Sequence, residues 1–298
     1  MEHSMDDELP VFNFGLSDST NDSSNFHFEN DPADPYERTN VIERRGLIHV
    51  RCNVRDIVHG QWGEDSDVEA TLLILLFRFD PDDLGRRVKI ARIKLSFLGS
   101  STDRPDPEVV RIWPNESYAI LPTKRTETVC VGGKGSVTAG FAGFEVGAEL
   151  SREKSVEREL QSMGIVRGSA DTEGRNFGLH NSASWTLMEN PNTKNGVAAS
   201  MQCAILLKRR ALEEQFTATV QVTVHADRPT AAKEWIRGVF SQPSKVDPII
   251  FDPKRQPTNQ LRIYDDQARA RLGSINLNDR SLTDITLRNI WEGAEKHT

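Results

Sequence analysis

Phe216-Thr217-Ala218-Thr219-Val220-Gln221-Val222-Thr223-Val224-His225-Ala226 decides the fold class. Successive side chains of a strand point to opposite faces. Phe216, Ala218, Val220, Val222, Val224 and Ala226 therefore share one face, and Thr217, Thr219, Gln221, Thr223 and His225 share the other. One buried and one wet face follow. Working outward, Met201 to Lys208 places Met201, Cys203, Ile205 and Leu207 together, and Ala183, Trp185 and Leu187 alternate with Ser184, Thr186 and Met188. Asn190-Pro191-Asn192-Thr193-Lys194-Asn195-Gly196 joins these two runs with residues suited to turns. Three consecutive strands predict an all-β protein, an antiparallel β-sandwich with a long glycine-rich hairpin and one or two short helices.

The same alternation recurs upstream. Ile48, Val50, Cys52 and Val54 form one side of a strand, and Val68 to Phe79 is apolar on both faces, as a strand covered on both sides requires. Val88 to Leu98 follows a strong turn at Asp80-Pro81-Asp82-Asp83-Leu84-Gly85. Val88 and Ile90 do not match the phase of Ala91, Ile93, Leu95 and Phe97, which predicts a bulge near Ala91. Val109 to Trp113, Ser117 to Leu121 and Thr126 to Val131 read as short strands. Val137, Ala139 and Phe141 then alternate, and the phase slips by one before Phe144, Val146, Ala148 and Leu150, which predicts a second bulge at Ala142-Gly143. Ser151 to Gly164 fits a helix through Val156, Leu160 and Met163. It also fits a strand arm with Glu157, Glu159, Gln161, Met163, Ile165 and Arg167 on one face. The strand is favoured because its phase continues unbroken to Gly168. Thr230 to Phe240 reads as a short helix and Val246 to Pro253 as an edge strand bracketed by prolines.

Charge divides the chain. Residues 1–40 hold ten acids and one base, leaving 34 acids and 36 bases for the rest. The leader, 1–40, is expected to be disordered and acidic, or to dock a short acidic-aromatic motif around Val11 to Leu16 on a partner or on the body. A β-sandwich domain is expected over 41–253 and a partly ordered tail over 254–298. The near-neutral body lacks the concentrated basic face that phosphate backbones demand, so no nucleic-acid partner is expected. The cysteines Cys52, Cys130 and Cys203 show no metal spacing and read as reduced core residues, which points to the cytosol, or cytosol and nucleus. No apolar run is long enough for a membrane helix.

Phosphate-loop, zinc-protease and serine-hydrolase spacings are all missing from the sequence, so no enzyme activity and no cofactor are expected. Asp80, Asp82 and Asp83 offer hard oxygen ligands for a metal, against the simpler role of capping a turn. Trp185, Thr217, Gln221 and His225 offer a polar pocket, against the simpler role of an outward sheet face. Gly140-Phe141-Ala142-Gly143-Phe144, Trp185-Thr186-Leu187-Met188-Glu189-Asn190, Ala204-Ile205-Leu206-Leu207-Lys208-Arg209 and Phe251-Asp252-Pro253 resemble uncharacterised proteins of filamentous fungi. That resemblance implies a fungal, intracellular setting and no activity or catalytic residue.

Three functions stay open. The first is a non-enzymatic module that binds a protein partner through a sheet face or edge. The second is a membrane-active or oligomerising β protein using the Gly132–Gly168 arm, with Glu145, Glu149, Arg152, Glu153 and Lys154 opposing spontaneous insertion. The third is an enzyme or small-ligand binder with a pocket near Trp185 and His225. A closed sandwich favours the first, a protruding hairpin the second and an open polar cavity the third.

Overall fold

Thirteen strands, paired antiparallel in two sheets, make up the body of the computed structural model, which describes residues 13–14, 29–44, 48–64, 66–82, 86–101, 105–132, 153–174, 176–210, 214–227 and 247–286. In order they are β1 (Asn13–Phe14), β2 (Asn40–Arg44), β3 (Ile48–Gln61), β4 (Glu69–Pro81), β5 (Val88–Gly99), β6 (Glu108–Trp113), β7 (Glu116–Gly132), β8 (Glu153–Asp171), β9 (Ser182–Met188), β10 (Ser200–Arg209), β11 (Phe216–Ala226), β12 (Ile249–Phe251) and β13 (Asp284–Thr286). One sheet runs β1-β11-β5-β9-β8-β7, with β12 also on the β11 edge. The other runs β13-β10-β4-β3-β2, with β6 also on the β10 edge. The all-β sandwich expected from the alternation is the observed class.

The alternating residues meet between the sheets. Phe216, Ala218, Val222 and Val224 of β11 join Ile93, Leu95 and Phe97 of β5 and Trp185 of β9. Opposite them stand Leu73, Leu75 and Phe77 of β4 and Met201, Cys203 and Ile205 of β10. Each fully buried side chain of this size contributes about 1.5–3 kcal/mol. Apolarity on both faces of β4 is explained by a second core. Leu72, Ile74, Val58, Ala204 and Leu206 face away from the first core and pack under Tyr264, Leu272, Leu277 and Leu282. The segment carrying those four residues includes a one-turn helix, α1 (Asp266–Ala270), capped by Asp265. It lies so close that a Cβ on Gly60 would stand 2.2 Å from the Arg269 carbonyl oxygen.

Three of the register shifts between strands bear on the site and on the expected phases. The irregularity expected near Ala91 falls at Lys89, because Ala226 pairs with Val88 and His225 with Ile90. In β3 the register shifts between Val54 and Asp56. Asp56, fully buried, then takes hydrogen bonds from Gln260 N (2.8 Å), Thr258 Oγ1 (3.2 Å) and Leu261 N (3.3 Å), anchoring the covering segment. In β7 the two runs predicted as separate strands are one, continuous through a bulge between Ile120 and Thr123. Pro122, which lacks an N–H for the ladder, sits inside that irregularity.

The Ser151 to Gly164 ambiguity resolves as strand: β8 begins at Glu153 and runs to Asp171 without a helical turn. The expected bulge at Ala142-Gly143 and the helix at Thr230 to Phe240 lie outside the described residues. Within the leader, Phe14 of the Val11 to Leu16 motif pairs with Val222 of β11. Residues 29–40, acidic in composition, are tied to the body. Glu37 N donates to Ile250 O (2.8 Å), Arg38 donates to Asp247 O (2.6 Å) and Arg255 pairs with Asp34 (2.6 Å).

Candidate functional site

Trp185 and the polar stripe of β11 do not meet. Trp185 is 1% exposed in the inter-sheet core, where its indole N–H donates to Pro114 O at 2.9 Å. Thr217, Gln221 and His225 alternate with the core residues of β11 and lie on the sheet's other face. The His225 ring nitrogen Nε2 is 3.0 Å from Arg92, and burial together with that guanidinium pushes the His225 pKa down. Two clefts among the described residues lie elsewhere. A shallow one of about 340 Å³ flanks α1 between Arg262 and Ile275, and a small one lies between Gly99 and Phe216.

The turn acids serve arginines. Asp80 accepts from Arg51 at 2.5 Å and from Arg78 at 3.3 Å, and Asp82 pairs with Arg86. Asp83 lies outside the described residues. Among the described residues, no three His, Cys, Asp or Glu side chains converge on a point where a metal would sit. Cys52 and Cys203 are buried, unpaired thiols whose pKa burial raises.

The feature that departs from an ordinary sandwich is the β7–β8 pair. β8 pairs with β9 only from Ile165 to Asp171, whereas its pairing with β7 continues from Glu116↔Gly168 out to Gly132↔Glu153. Beyond Ile165, β7 is the one strand partner of β8 among the described residues, and β7 is the sheet's terminal strand throughout. Among the described residues, the core reaches outward on this pair to Val166 and the half-buried Ile120. From Thr123↔Ser162 outward the two strands form a ribbon that stands free of every other strand among the described residues and is rich in Lys, Arg, Glu and Thr.

A polar knot holds the ribbon at its root. Asn190, 5% exposed, donates through Nδ2 to Thr123 Oγ1 (3.0 Å) and to Ser162 O (3.2 Å). Its Oδ1 accepts from Asn192 N at 2.9 Å, so the turn residue and the clamp are one side chain. Below the knot the packing admits no extra atom. A Cβ on Gly168 would stand 2.0 Å from Pro114 O and 2.9 Å from the Trp185 indole nitrogen. A turn Asn and a clamping Asn look alike in sequence, and Gly168 read only as the end of an alternating phase; neither carried a signal of its own.

No protein-family model matches the chain, and no curated protein is similar to it. Among solved structures, the NetB toxin of Clostridium perfringens in its membrane-inserted form is 10% identical, over 64% of this chain and 83% of that one, with a TM-score of 0.29. The delta-toxin of Clostridium perfringens is 10% identical over 62% of this chain and 89% of that one, with a TM-score of 0.25. Overlays this loose do not establish a common fold.

Proposed function

We propose that this is an oligomerising, membrane-active β protein whose β7–β8 ribbon is the working element. The observation that supports it is the free-standing ribbon, paired strand to strand far beyond the body that roots it. A two-stranded ribbon is marginally stable alone, and its outer edges present unpaired N–H and C=O groups that template further pairing. Copies adding edge to edge satisfy those groups, and closure into a barrel removes the edges altogether. A barrel of alternating strands also tolerates charge on its lumen side, so of the neighbours Glu153 and Lys154, which alternate across the strand, one is accommodated there.

The knot at the root supplies a clean test. Thr123 and Ser162 are register partners, so residues 124–161 can be replaced by a two-residue Asn-Gly turn. Wild-type protein mixed at low salt with anionic liposomes is expected to form cross-linkable oligomers and release trapped dye. The shortened variant is expected to stay monomeric and melt within a few degrees of wild type. A monomeric wild type that neither binds nor permeabilises liposomes sinks the proposal, and would favour the same open edges as a docking strip for another protein.

A further inference from the structure

A second site, independent of the ribbon, lies at the end of β10. Arg209 is buried there, its side chain 4% exposed, and its Nε donates to Thr71 Oγ1 at 2.9 Å. That bond sets the next two. The Thr71 hydroxyl, accepting from Arg209, turns its own proton to His59 Nδ1 (2.9 Å), so the ring proton of a neutral His59 sits on Nε2 and points at Glu37 Oε1 (2.9 Å). Burial, the largest influence on His59, favours that neutral ring. The Glu37 carboxylate is thereby committed to His59 and to Asp252 N.

Arg209 is left short of acceptors. Neither Nη1 nor Nη2 has a hydrogen-bond partner among the described residues, and the Glu69 carboxylate stands 3.6 Å from Nη2, too far to accept from it. The guanidinium carbon lies 5.7 Å from the Phe216 ring centre. Buried donors without acceptors are costly, and a guanidinium cannot escape by losing its proton. Burial lowers the Arg209 pKa to about 10, with Glu69 opposing the shift. Arg209 and Phe216 line the small cleft together with Gly99, Ser100, Arg210 and Glu214; it leaves about 20 Å³ for a solvent-sized group. A water there would satisfy N–H groups but bring no charge, and the Glu69 ion pair at 3.6 Å offsets the burial of the guanidinium only in part.

We infer that this cleft binds a small inorganic anion of halide size, held by the free Nη groups of Arg209 with Arg210 at the rim. The anion completes the buried chain Glu37–His59–Thr71–Arg209 at its open end.

Melting the full chain at constant ionic strength in chloride, bromide or gluconate tests this, because a ligand that binds only the folded state raises its melting temperature. Wild type is expected to melt several degrees higher in chloride or bromide than in gluconate, an anion too large for the cleft. Arg209→Gln is expected to lose that difference. Should Arg209→Gln fail to fold, Glu69→Gln is expected to enlarge the halide response by removing the nearest competing carboxylate. Bromide-soaked crystals are expected to show anomalous density within hydrogen-bonding distance of Arg209. Equal melting in all three salts, or water alone beside Arg209, overturns the inference.

Discussion

β3–β4 and β7–β8 are both long antiparallel pairings, and each is interrupted by one bulge. Yet β3–β4 lies wholly inside the body, while β7–β8 leaves it. Backbone pairing is the same in both, so the ladder does not decide the difference. Side chains do. Leu72-Leu73-Ile74-Leu75 feeds two cores at once, one on each face of its sheet. Thr123-Lys124-Arg125-Thr126-Glu127-Thr128 is polar or charged at every position. The bulges diverge in the same way. The one in β3 aims Asp56 at the covering segment, whereas the one in β7 marks where the strand parts from the core.

The largest effect expected in testing this contrast comes from the body. Phe77→Ala removes a ring that is fully buried between the sheets and is expected to cost about 3–5 kcal/mol in a urea melt. A loss no larger than that of a surface substitution would mean the core is not where the sheets meet. Gly168→Val comes next, because its side chain collides with Pro114 O. A destabilisation of about 1–3 kcal/mol is expected, as overpacking brings, and a silent variant would show that the ribbon's root is loose.

Asp56→Ala strips three donors of their acceptor and is expected to cost about 1–3 kcal/mol. Proteolysis of residues 254–286 is expected to quicken at the same time. Unchanged protection would show that the second core alone holds the cover.

Acid adds a smaller effect. His59 and His225 both have folded pKa values below the ordinary 6.5, through burial first in each case. The unfolded chain therefore takes up protons first, and stability present above about pH 6.5 falls as pH drops toward the lower folded values. His59→Gln is expected to flatten the slope of the denaturation midpoint between about pH 7 and pH 5, leaving the part due to His225. An equal slope in the variant assigns the effect elsewhere. Glu127→Ala, on the ribbon, is expected to change stability by no more than about 0.5 kcal/mol.

Much of this architecture is readable from alternation alone. β11, β5 and β9 alternate because one face meets the core, and β4 and the Ala204–Leu207 run of β10 are apolar on both faces because they meet two. The joining of the two β7 runs was hidden by Leu121-Pro122, which interrupt the phase without ending the strand. The cover over β4 was hidden for another reason. Its anchors are single residues, Tyr264, Leu272, Leu277 and Leu282, spaced irregularly on a segment with almost no regular structure. The proposed pocket failed to assemble on parity. Trp185 is in phase with Ala183 and Leu187, whereas Thr217, Gln221 and His225 are out of phase with the core residues of β11. The buried chain through His59 joins residues far apart in sequence, and no local pattern announces it.

The ribbon also sets a distance. Between Thr123 and Gly132 the strand advances nine residues, which is roughly 30 Å at about 3.3 Å per residue. Whatever meets the far end of β7 is held that far from Asn190 and the rest of the sandwich. The body's own surfaces are then spectators at that contact, and a dye on the body should report it only by long-range energy transfer. Lengthening each strand by two residues would move the contact outward by about 7 Å without touching either core. In mechanical terms the sandwich is a handle, and the reach of the tool can change while the grip stays the same.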